Sequence, residues 1–128
     1  MKTLQDSDLS GCVPACTVDQ LAPVLRDRLA VLRDACASFG IPFRVNCAFR
    51  SVDWDLSKGR SGSSSHCRGY AVDLATPNHF VRLRLLCLLL ELGFVRIGIA
   101  KSFIHADLDP DKPASVWLYD RENLNVTF

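Results

Sequence analysis

The spacing of apolar residues changes from stretch to stretch, and each period predicts an element. In residues 23 to 39, "PVLRDRLAVLRDACASF", Val24, Leu25, Leu29, Leu32, Cys36 and Phe39 recur at helical spacing, with Arg26, Asp27, Arg33 and Asp34 on the other side. Pro23 suits a first helical turn, residues 17 to 20 form a separate lead-in turn, and Gly40 suits the stop. "PFRVNCAF" then alternates Phe43, Val45, Cys47 and Phe49 with Arg44, Asn46 and Ala48, which is the period of a strand. "GYAVDLA" alternates again, with Tyr70, Val72 and Leu74 on one face and Ala71 and Asp73 on the other. Thr76 and Pro77 predict the N-cap and first position of a second, buried helix that ends before Gly93. "FVRIGIA" and "FIHADLD", joined by a turn at Lys101 and Ser102, predict an antiparallel hairpin. "SVWLY" after Pro113 predicts one more strand.

Two stretches lack a period. Residues 1 to 16 are polar, broken by Gly11 and Pro14, and predict an N-terminal arm. Residues 50 to 65, "RSVDWDLSKGRSGSSS", predict a long loop, and a loop of this length inside a domain is commonly functional. With no internal repeat, residues 1–128 read as a single domain. The fold class is α+β, a small antiparallel sheet packed against two main helices.

Composition adds exclusions. The chain has 48% apolar and 23% charged residues, which suits a globular core and not disorder. A formal net charge of +1 gives no electrostatic case for nucleic acid or a membrane surface. The most apolar run, "LRLLCLLLELG", falls far short of the ~20 residues of a membrane span. No secretory h-region follows Met1, so the chain reads as cytoplasmic, or as phage-encoded and released to the cell wall. Six cysteines (12, 16, 36, 47, 67 and 87) read as reduced thiols, with Cys36, Cys47 and Cys87 as small core residues. Cys12 and Cys16 are spaced to bridge or to share a metal, but no second pair stands near them.

Three histidines carry the candidate chemistry. His79, near the start of the second helix, reads as a solvated residue. His105 shares a strand face with Phe103 and Asp107, opposite the apolar Ile104, Ala106 and Leu108. In "SSSHCRGYAVDLA", His66 ends the long loop and Asp73 projects mid-strand from the less apolar face, where a carboxylate needs a partner. If the two strands are neighbours, His66, Asp73 and His105 converge on one cation, and two imidazoles with one carboxylate suit zinc with a position left for water. Otherwise they are an unrelated surface His, a turn Asp and a satisfied core His.

"SSHCRGYAVD" resembles the S-x-H-x-x-G-x-A-x-D signature of the zinc D-alanyl-D-alanine metallopeptidases, which share a fold with the hedgehog signalling domain and lysostaphin-type peptidases. "FIHADL" resembles that family's third-ligand strand and "GIPFRVNCAFRS" its strand ending in an Arg. The blocks together cover roughly residues 24 to 108. The resemblance implies one zinc ion held by His66, Asp73 and His105. It also implies that Arg50 binds a substrate carboxylate, C-terminal or isoglutamyl, and that Ser64 hydrogen-bonds substrate. Read alone, Arg50 is also compatible with a loop-mouth residue and Ser64 with a loop former.

One family position departs. Many relatives carry an acidic residue three positions before the last His ligand, and others a His two positions before it; this chain has Ser102 and Phe103. Asp107, on the face of His105, is then either the general base or a group orienting an imidazole. Asp53 and Asp55 in the long loop are the fallback bases, and Trp54 either contacts substrate or pins the loop. The expected activity is zinc-dependent hydrolysis of peptidoglycan stem peptides by a metal-activated water, as a D-Ala-D-Ala carboxypeptidase or an L-Ala-D-Glu endopeptidase. The expected partner is the peptide alone, with no nucleic acid or membrane span, and the chain is expected to be a monomer. The competing readings are a zinc-loaded binding module without turnover and a cysteine-based redox or metal-storage protein.

Overall fold

In the computed structural model, which describes residues 3–119, the helical period of residues 23 to 39 becomes α1 (Pro23–Phe39), with Pro23 in its first turn and Gly40 at its end. It buries Leu25, Leu29, Leu32 and Cys36 of the predicted stripe, whereas Val24 and Phe39 at its two ends are exposed. The expected loop after Arg50 is interrupted by a short helix, α2 (Val52–Ser57), capped by Ser51, whose Oγ accepts from the Trp54 N–H at 3.0 Å.

The second long helix, α3 (His79–Glu91), starts later than the Thr76–Pro77 pair predicts. Asn78 is its cap and accepts from the Val81 N–H at 2.9 Å. Thr76 serves the sheet instead, its N–H donating to the Ser102 carbonyl. α3 buries Val81, Leu85, Leu88 and Leu89 but exposes Phe80, Leu83 and Leu90, and Cys87 is exposed with them. A helix on the outside of a two-layer fold buries one stripe only, so the expectation of a wholly buried helix with a core Cys87 is corrected. His79 is exposed, as expected of a solvated residue.

The strands are β1 (Val45–Cys47), β2 (Ala71–Ala75), β3 (Arg96–Ile99), β4 (Phe103–Asp107) and β5 (Ser115–Leu118), in the spatial order β1-β2-β4-β3-β5. Neighbours are antiparallel except β3 and β5, which run parallel, so the sheet is mostly, not wholly, antiparallel. Val72, Leu74, Ile97, Ile104 and Ala106 join Phe94 and the buried stripes of α1 and α3 in one core. Full burial of one such Leu or Ile contributes about 1.5–3 kcal/mol. Leu4, Leu9 and Cys12 enter the same core, so the segment expected as an arm is folded onto the domain. Among the described residues, no helix is long and apolar enough to cross a membrane.

Candidate active site

One lateral row of residues crosses the whole sheet. Cys47, Asp73, His105, Gly98 and Trp117 are successive cross-strand partners on β1, β2, β4, β3 and β5. Partners in register share a face, and this row lies on the face turned away from the core. The alternation in β2 and β4 made this arrangement: with Val72, Leu74, Ile104 and Ala106 buried, Asp73 and His105 project from the other side.

His66 arrives from outside the sheet. It sits in a single 3₁₀ turn (Ser65–Arg68) capped by Ser64, whose Oγ accepts from the His66 N–H at 3.1 Å. The turn closes at Gly69, with φ at +78°, where an added Cβ would meet the Gln20 carbonyl oxygen at 2.6 Å. Only glycine permits that reversal into β2.

The two histidines face Asp73 with defined tautomers. His66 Nδ1 donates to the Ala48 carbonyl at 2.6 Å, so Nε2 turns its lone pair toward the carboxylate. His105 Nε2 donates to Asp107 Oδ2 at 2.7 Å, which leaves Nδ1 toward the same carboxylate. These free nitrogens lie 3.2 and 3.1 Å from one oxygen, Asp73 Oδ1. Three electron-pair donors so close repel one another unless protons or a cation stand among them. Titration behaviour expresses that demand. Burial opposes charge on Asp73, but the charge of His66 and hydrogen bonds from both imidazoles hold its carboxyl well below the usual range. Burial likewise opposes charge on His105, yet its bonds to Asp107 and Asp73 push it up to about 9. Two imidazoles and a carboxylate, each imidazole anchored through its far nitrogen, fit a zinc ion.

The surrounding groups fill two sides of a cleft of about 770 Å³. Arg50 and Ser64 line it on the β1 side, where Arg50 Nη2 donates to Ser64 Oγ at 3.0 Å. Asp55 on α2 has no exposed side-chain surface and stands 2.9 Å from Arg50 Nε, an ion-pair contact without hydrogen-bond alignment. Arg60 lies 3.7 Å from the same carboxylate. Asp55 is therefore a partner of Arg50 and not a free base, while Asp53 is exposed on α2. Trp54 carries the Lys58 ammonium 4.7 Å over its ring and does not line this cleft.

Asp107 lies behind His105. Its side chain is fully buried and takes hydrogen bonds from His105 Nε2, from Arg96 Nε at 2.8 Å and from the Asp109 N–H at 3.1 Å. Burial opposes its charge, but these bonds lower it below the ordinary carboxylate range. Ser102 occupies the β3–β4 turn and does not line the cleft.

Two residues at the site escaped the sequence reading. Cys47 reads as core by alternation with Val45, but the register shifts between the two residues, pairing Val45 with Leu74 and Cys47 with Asp73. The thiol thus lies 3.8 Å from His66 Nδ1, and Cys47 stands close enough to His66 and Asp73 to share a metal ion with them. Because His66 Nδ1 is committed to Ala48, Cys47 stands on the protonated side of that ring. Trp117 is the other, with its ring 5.5 Å from that of His105. All six cysteines are free thiols, and among the described residues Cys12 and Cys16 belong to no group of three potential metal ligands.

No curated protein matches the sequence. The Peptidase M15 family model matches residues 2–107, from the N-terminal segment to the last residue of β4, and so takes in His66, Asp73 and His105. A match over most of the chain, on a fold that gathers those three side chains, shows that this protein belongs to the Peptidase M15 family of zinc metallopeptidases.

Proposed function

We propose that this peptidase hydrolyses peptidoglycan stem peptides, at the terminal D-Ala–D-Ala bond or at the L-Ala–D-Glu bond, with His66, Asp73 and His105 holding one zinc ion. The observation that carries the reading is the convergence of His66 Nε2 and His105 Nδ1 on Asp73 Oδ1, with both far nitrogens anchored. When bound there, zinc acidifies water and polarises a carbonyl. The residues around it position the peptide. Arg50 presents a guanidinium to a substrate carboxylate, a pairing that suits a two-pronged contact, and Asp55 holds it from behind. Ser64 fixes both the Arg50 head and the His66 backbone, so it sets the distance between carboxylate and metal. Asp107 orients His105 and keeps the ring's lone pair toward the metal, because its carboxylate is enclosed and turned from the cleft.

A second reading is a zinc-loaded binding module without turnover. Among the described residues, the carboxylates lining the cleft are Asp55 and Asp73, and both are engaged. Mass spectrometry of defined muropeptides, incubated with zinc-supplemented protein with and without chelator, separates the readings. Chelator-sensitive loss of one alanine establishes a carboxypeptidase, and separation of L-Ala from the D-Glu portion establishes an endopeptidase. Intact muropeptides that nevertheless bind the protein establish the module.

A further inference from the structure

The cleft has two unlike sides. In the strand order β1-β2-β4-β3-β5, Arg50 follows β1 at one edge, the His66–Asp73–His105 group lies in the middle, and Trp117 and Tyr119 stand at the β5 edge. Phe103 adds a third ring on the aromatic side, 5.5 Å from Tyr119, and Trp117 lies 6.3 Å from Tyr119. All three rings line the cleft and are partly exposed.

Gly98 makes this side possible. It lies in the lateral row between His105 and Trp117. A Cβ at position 98 would stand 2.4 Å from Trp117 Nε1 and 2.7 Å from Tyr119 Cε2, well inside contact distance. The indole therefore lies across the bare glycine, which brings its ring beside His105. Arg96 lies 5.1 Å over the Trp117 ring while bonded to Asp107, and fixes the indole from a further side. Trp117 and Tyr119 fall beyond the residues that the family model matches, whereas Gly98 and Phe103 lie within them.

We propose that Phe103, Trp117 and Tyr119 form a subsite for the alanine on the acyl side of the scissile bond, and that Gly98 is its permissive residue. The assignment rests on the stem-peptide reading but not on which bond is cut. A peptide with its carboxylate at Arg50 and its scissile carbonyl at the central group must send its acyl-side residue toward β5. In a D-Ala–D-Ala bond and in an L-Ala–D-Glu bond alike, that residue is alanine. Its methyl group is a C–H surface of the kind aromatic rings shield from water.

The test pairs enzyme variants with substrate variants. Stem peptides with alanine or glycine on the acyl side are compared on wild type, Gly98→Ala and Trp117→Ala, with zinc content and melting temperature measured for each. Wild type is expected to prefer alanine by about fourfold in kcat/KM, the effect of one buried methyl. Both variants are expected to lose most of that preference while still binding one zinc. An unchanged preference in both variants overturns the proposal. The Trp117 indole N–H resonance gives a readout independent of turnover and of the variants' folding. It is expected to shift with millimolar alanyl peptide and less with glycyl peptide, and an unmoved resonance overturns the subsite. Wild type that cleaves no muropeptide counts against the stem-peptide hydrolase, while the resonance still decides the subsite.

Discussion

At the scale of single residues, the site is an arrangement of lone pairs and their anchors, and Asp107 tests it most sharply. Asp107→Asn preserves shape but weakens the acceptor that holds the His105 Nε2 proton. It should lower zinc affinity about 10–100-fold, read by competition with a chelating dye. Unchanged affinity with a collapsed kcat would instead identify Asp107 as the base. Asp55 acts on the other side of the cleft, as the buried counter-charge of Arg50. With Asp55→Asn the guanidinium loses its hold, and KM should rise about tenfold with kcat changed far less. Michaelis curves at saturating zinc decide this, and an unmoved KM would remove Asp55 from substrate binding. Strand alternation placed Asp107 beside His105 in the sequence, as base or as orienting group, whereas the pairing of Asp55 with Arg50 was not legible, because the loop that carries Asp55 shows no period.

At the scale of elements, local chemistry predicted types well and boundaries less well. The helical period over residues 23 to 39 reproduced α1 in full, since Pro23 and Gly40 bracket one unbroken apolar stripe. The start of α3 shifted because two capping residues compete, and Asn78 wins. Asn78→Ala should therefore cost about 1 kcal/mol in urea unfolding. Thr76→Val should be neutral or stabilising, since the Thr76 Oγ1 is buried without a hydrogen-bond partner. A loss of about 1 kcal/mol from Thr76→Val would restore Thr76 as the cap. α2 was missed although its Ser51 cap and acidic first turn stand in the sequence, because six residues are too few to show a period. The irregular register at β1 was illegible for another reason: strict alternation puts Val45 and Cys47 on one face, and only pairing with β2 separates them.

At the scale of the whole molecule, stability, metal and protons are coupled. His105 titrates at about 9 in the folded, metal-free chain, against an ordinary value of 6.5. Its protonated form stabilises that chain fully below pH 6.5, and the contribution is lost as pH rises through 9. On the proposed ligand set, zinc requires the neutral His105 imidazole, so its affinity should rise across the same window and its uptake at pH 7 should release protons. Calorimetry of zinc binding in buffers of different ionisation enthalpy measures that release, and a heat independent of buffer would refute it. Chelation should correspondingly lower the melting temperature more at pH 8.5 than at pH 6.5.

Sequence alone determined the parts whose physics is local or periodic. Helix and strand periods fixed which residues of α1, β2 and β4 face the core, and so that Asp73 and His105 face away from it. The spacing S-x-H-x-x-G-x-A-x-D, with a glycine that the Gln20 carbonyl crowds, fixed how His66 turns toward β2. Tertiary structure alone decided what depends on neighbours distant in the chain. It set β2 beside β4 so that two histidines share one carboxylate oxygen, and turned Asp107 into the support of His105. It swung Cys47 toward the site and laid Trp117 across Gly98. Those outcomes follow from strand order and register, which no local period specifies, because a pairing partner is chosen by the packing of the whole sheet.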